Sequence, residues 1–127
     1  MGFIPVNVVA DIFASTTRMD IHEVVRRMNS HVGATLVAAL AGSRDSKLPY
    51  RWAKSATPND QAEARIRMAH RVWSLLSDAE SDHVARAWFI GANPLLGEVS
   101  PVMALREDKL REVSLAAQAF VEDSWGA

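Results

Sequence analysis

The sequence contains no cysteine. That absence excludes disulfide scaffolds, zinc ribbons, iron–sulfur clusters and thiol catalysis together. It also suits a reducing compartment, so the expected location is cytoplasmic. No apolar run approaches the roughly 20 residues that span a bilayer. Residues 1–17 lack the basic start and long apolar stretch of a signal peptide, and none is expected. The sequence shows no GxGxxG, Walker A loop, GxSxG or HExxH. No two of the four histidines, His22, His31, His70 and His83, are spaced to share one helix face as metal ligands. No pair of carboxylates sits in an apolar setting suited to acid–base work. The chain is therefore expected to carry no catalytic residue, no metal and no cofactor, and not to be an enzyme.

What is present is an ordinary globular composition. The 127 residues are 49% hydrophobic and 23% charged, which is one domain's worth of chain. A chain this long buries roughly two-thirds of its unfolded surface, so it needs no cross-link to fold. No stretch alternates as strands require, and the spacing is helical throughout. The expected class is all-α: a helix-turn-helix-like N-terminal half, then a small helical partner-binding domain. The expected divisions are an arm or short helix over 1–17, a helical region over 18–76 and the second domain over 77–127.

Particular stripes support this reading. Asn7 is a candidate cap for a helix over 7–15. Asp20 is a candidate cap for the next helix, with Ile21, Val24, Val25 and Met28 on one stripe. Residues 33–41 are small and apolar, and Gly42 suits a helix end. Ser43–Asp45 then reads as a tight turn and 46–54 as a short helix capped by Ser46. Pro58 opens a long helix over 58–76, with Ala62, Ile66, Ala69, Trp73 and Leu76 as its core stripe. Glu63 and Arg67 are placed to pair at i,i+4. An acidic lead, Ser77–Asp82, precedes a helix over 79–90 that carries Val84 and Trp88. Two glycines and two prolines in residues 91–101 mark a shaped loop. Ser100 and Pro101 mark a further helix start. Leu110, Val113, Ala117, Phe120 and Val121 stripe a last helix over 107–122, with Trp125 beyond it.

Charge is segregated along the chain. Residues 41–76 hold seven basic side chains against three acidic ones, whereas residues 77–127 hold four against nine. That is consistent with two surfaces for two kinds of partner, and equally with solvated charge of no special role. Within the basic part, helix 33–41, a turn and helix 46–54 read as helix-turn-helix. Lys47, Tyr50, Arg51 and Lys54 would share one face of the second helix, with Arg44 in the turn. Arginine pairs bidentately with guanine, while lysine and tyrosine hold phosphates. These are the candidate DNA-binding residues. An exposed basic face without a ligand fits the same pattern.

The C-terminal part carries a sharper motif. Residues 85–105 read ARAWFIGANPLLGEVSPVMAL. This resembles the toxin-binding domain of antitoxins of the Xre/MbcA/ParS type: a tryptophan helix, N-P-x-L-G, then a proline opening the next helix. The matching positions are Trp88, Asn93, Pro94, Leu96, Gly97, Pro101 and Leu105. RWAK at 51–54 followed by Pro58 resembles the upstream region of the same family, and the likeness covers roughly residues 33–123. The chain departs in having Gly91-Ala92 before the asparagine and Glu98 after Gly97. The resemblance implies an all-α antitoxin that dimerises and inhibits a RES-domain toxin. Such toxins consume NAD+ at its nicotinamide–ribose bond, and the antitoxin blocks the NAD+ pocket, in part with its C-terminal segment. Many such antitoxins also bind their own promoter. The implied toxin-binding residues are Asn93, Pro94, Leu96, Gly97 and Pro101 in the loop, with Glu122, Asp123, Trp125, Gly126 and Ala127 at the end. The acidic end suits a basic pyrophosphate pocket. A free-standing helix-turn-helix regulator and an inert helical scaffold are the competing readings.

Overall fold

The computed structural model describes Val9, Ala10, Ile12 and residues 19–126, with side chains as far as Asp123. Val9, Ala10 and Ile12 are helical, within the expected 7–15 helix; its candidate cap Asn7 lies outside the described residues. Seven α-helices then follow: α1 (Ile21–His31), α2 (Ala34–Ala41), α3 (Leu48–Trp52), α4 (Asp60–Ala79), α5 (Asp82–Ile90), α6 (Pro101–Arg106) and α7 (Leu110–Gly126). A 3₁₀ turn at Pro94–Leu96 separates α5 from α6. Among the described residues the only strand-like pairing is one bridge between Asn93 and Val99. No helix among them is long and apolar enough to cross a membrane.

The stripes fall inside, as the spacing predicts. Ile21, Val24, Val25 and Met28 of α1 are buried, as are Ala62, Ile66, Ala69, Trp73 and Leu76 of α4. The helix α2 is built almost wholly of small and aliphatic side chains, so it sits centrally, against α1, α3, α4 and α6. Gly42 ends it in the left-handed region at φ 93°, with its N–H returned to the Ala38 and Ala39 carbonyls. One apolar cluster runs from Ile21 to Val121. The division at 76/77 falls inside α4.

Several helix limits differ from those expected, each for a local reason. Asp20 occupies the N-cap of α1, but its carboxylate accepts no capping hydrogen bond. Ser46 does not cap α3. Asp45 accepts the Lys47 N–H instead (2.9 Å), which draws out the turn and shortens the helix to five residues. The cap of α4 is Asn59, accepting the Ala62 N–H at 2.8 Å, with Pro58 just before it. That helix runs on through Ala79, so 77–79 end α4 and do not start α5. Ser81 caps α5 by accepting the Val84 N–H. The last helix starts at Leu110 and continues to Gly126, so the backbone of Trp125 is helical and not a tail beyond the helix. No proline or internal glycine interrupts it before that point.

One long-range clamp ties α4 to the end of α2 and to the turn before α7. The Arg65 side chain, only 11% exposed, donates from Nε and Nη2 to the two carboxylate oxygens of Asp108 (2.9 and 3.1 Å). Its Nη1 donates to the Ala41 carbonyl at the end of α2 (2.9 Å). A planar guanidinium fits this bidentate arrangement, and a lysine would not. The same guanidinium explains Gly42. A Cβ there would stand 2.5 Å from Arg65 Nη1, on top of the strain of a positive φ.

Candidate partner-binding surfaces

The loop after α5 is closed by its own backbone. The Asn93 N–H donates to the Val99 carbonyl, and the Asn93 carbonyl accepts from the Leu96 and Glu98 N–H groups. The Asn93 side chain accepts the Leu95 N–H at 2.9 Å. Gly97 and Glu98 both take positive φ, 67° and 69°. Glycine does so freely, while the glutamate stores strain of about 1–2 kcal/mol. Leu96 is buried as a plug, and Pro101 is buried at the start of α6. Ser100 caps α6 by accepting the Met103 N–H at 3.2 Å.

This geometry divides the motif residues into two groups. Asn93, Leu96 and Pro101 hold the loop together from within. Pro94, Leu95, Gly97 and Glu98 are exposed. Leu95, 65% exposed, is the most exposed large apolar side chain of the described residues. Sequence reasoning overlooked it because it occupies the variable position of N-P-x-L-G. Only the 3₁₀ turn seen in the structure turns Leu96 inward and leaves its neighbour outside. Glu122 and Asp123 are exposed near the end of α7. The side chain of Trp125, the surroundings of Gly126 and all of Ala127 lie outside the described residues.

The basic candidates form a second surface. Arg44, Lys47, Tyr50, Arg51 and Lys54 are all exposed. They do not share one helix face as the spacing predicts. Only Tyr50 and Arg51 lie within α3; Arg44 and Lys47 precede it, and Lys54 follows in a turn. Arg51 is also tied by its guanidinium to Asp45 at 3.0 Å. The Lys47 N–H and then Arg51 hold the Asp45 carboxyl below its usual range. The helix itself is firmly seated. His22 and Arg26 of α1 donate to the Trp52 and Ala53 carbonyls (both 2.7 Å), and Asn29 to the Pro49 carbonyl (3.1 Å). The first two satisfy carbonyls at the end of the short helix, and the third adds a second donor to a Pro49 carbonyl that already accepts the Ala53 N–H. Trp52 is buried, as expected.

Among the described residues no group of three or more His, Cys, Asp or Glu side chains is placed to hold a metal. His31 pairs with Asp82 at 2.9 Å and lies against Trp73. His70 is fully buried, stacked on Trp73, with neither ring nitrogen bonded. Burial, with Arg27, Arg67, His31 and Arg71 nearby, lowers its pKa to about 4. Comparison with protein-family models, with curated proteins and with solved structures finds no match to this chain.

Proposed function

We propose that the chain is an antitoxin that binds a RES-domain toxin and blocks its NAD+ pocket. The observation that carries this reading is the 93–99 loop, pinned by backbone bonds, plugged by Leu96 and presenting Pro94, Leu95 and Glu98 outward. A surface rigid before binding loses little entropy on binding. The motif resemblance supplies the partner class. The acidic residues Glu122 and Asp123 suit a pocket built for a pyrophosphate. The toxin would hold all the catalytic groups, and this chain would bind as a homodimer in the cytoplasm.

The test uses the purified product of the neighbouring gene and follows NAD+ consumption. The intact chain is expected to stop it. Leu95→Asp, at an exposed position, should weaken inhibition about 30-fold or more, as loss of a central apolar anchor does. Equal inhibition by that variant would remove the loop from the interface.

Promoter binding is a second reading, favoured by the basic surface seated on α1. Arg44→Ala with Lys47→Ala should weaken DNA binding and reduce its salt slope by about 0.9 for each phosphate no longer neutralised. Inhibition of the toxin should be unchanged. A free-standing regulator would show DNA binding with no effect on NAD+.

A further inference from the structure

Among the described residues two that are not glycine take a positive φ, Asp108 at 63° and Glu98 at 69°. Such a residue is strained, and it persists where its surroundings outweigh the strain. For Asp108 the compensation is plain. Arg65 donates to both of its carboxylate oxygens (2.9 and 3.1 Å), and the Gln61 amide donates to one of them (2.7 Å). The Glu98 side chain does nothing comparable. It takes part in none of the ion pairs among the described residues. The side-chain hydrogen bonds of its loop belong to Asn93 and Ser100. Gly97 and Glu98 are the two central residues of a tight turn, which the Val99 N–H closes on the Leu96 carbonyl at 3.3 Å. Glycine suits both central positions of such a turn. The backbone bonds would hold a glycine at 98 as well, so the fold gains nothing from this carboxylate. The turn nevertheless fixes the direction in which Cβ leaves the backbone, in the loop that exposes Pro94 and Leu95.

We infer that the Glu98 carboxylate takes an arginine or lysine of the toxin, beside the apolar contact made by Leu95. This rests on the antitoxin reading and goes beyond it, by naming the charge that the toxin presents to the loop. A carboxylate only accepts hydrogen bonds, and its strongest partners are cationic donors. An ion pair left in water contributes little. Leu95, 65% exposed in the free chain, keeps water from the pair once both are covered, and the attraction grows as the local dielectric falls. A carboxylate carried on a closed turn also has less backbone freedom to lose on binding.

Glu98→Gly relieves the strain and removes the carboxylate. Its melting temperature should rise by about 2–5 °C, while inhibition of the purified neighbouring toxin weakens about tenfold or more. Glu98→Gln keeps the strain and the size and removes the charge. It should weaken inhibition to a similar degree and make it less salt-dependent, with the melting temperature unchanged. If the wild-type chain does not inhibit the toxin, the antitoxin reading fails and this inference fails with it. If the wild type inhibits and both variants inhibit equally well, the assignment of Glu98 alone is wrong. A lower melting temperature for Glu98→Gly would show that the glutamate serves the fold, and would overturn the inference. Weakened inhibition by Glu98→Gly but not by Glu98→Gln would assign the effect to the rigidity of the turn and overturn it too. Sedimentation of the wild type and Glu98→Gln alone reports self-association. A dimer lost in Glu98→Gln with inhibition intact would place the cation on a second copy of this chain, against the inference.

Discussion

Trp73→Ala is expected to destabilise the chain by about 3–5 kcal/mol, the cost of truncating a large core aromatic. That is a large share of the roughly 5–15 kcal/mol that holds a domain together. Trp73 lies in the middle of α4, 8% exposed, with His31 at 4.3 Å on one side and His70 at 6.0 Å between ring centroids. Truncation would empty the contact between α1 and α4. Its indole N–H is buried without a partner. Trp73→Phe keeps most of the volume and removes that orphan donor, so it should cost no more than about 1 kcal/mol. Denaturant unfolding of both variants checks the pair. A small loss for Trp73→Ala, or equal losses for both, would contradict this account of the core.

Acidification should destabilise the fold well above the pH at which carboxylates protonate. His70 titrates near 4 when folded and near its ordinary 6.5 when unfolded. Between those values the unfolded chain binds more protons, so stability falls as pH falls. The loss from this group is about 2 kcal/mol between pH 7 and pH 5, and about 3 kcal/mol once both states are protonated. The geometry behind this is plain. The ring has no hydrogen-bond partner to share a proton, and Arg27, Arg67 and Arg71 are already cationic around it. His70→Leu has similar volume and cannot titrate, so its stability should be nearly flat over the same range. The measurement is denaturant unfolding at pH 7, 6 and 5. The same pH slope in His70→Leu as in the wild type would rule out His70 as its source.

The helical class and most of the core were legible from side-chain spacing. The α1 and α4 stripes are periodic over three or more turns, and a periodic apolar face has one way to be buried. Helix limits were less legible because capping residues compete. Ser77, Asp78 and Ser81 are all plausible starts for α5, and burial of Leu75 and Leu76 keeps the earlier two inside the α4 region. The short α3 follows from Asp45, whose carboxylate can cap a turn as readily as Ser46 can cap a helix. The Arg65–Asp108 clamp spans 43 residues, and no local pattern announces it. In the loop, the motif picked out the segment that closes on its own backbone, but not its outward side chain. Sequence spacing alone did not separate Leu96, turned inward, from the exposed Leu95. The pairing of Arg51 with Asp45 was hidden in the same way, since a charge count treats every arginine as free.

The central claim is that this chain protects NAD+ from a partner enzyme. The most direct measurement is to express the product of the neighbouring gene alone and together with this chain, following cellular NAD+ and growth. The account predicts that NAD+ collapses when the neighbour is expressed alone, and that co-expression preserves both NAD+ and growth. A harmless neighbour, or an NAD+ collapse that this chain does not prevent, would contradict it.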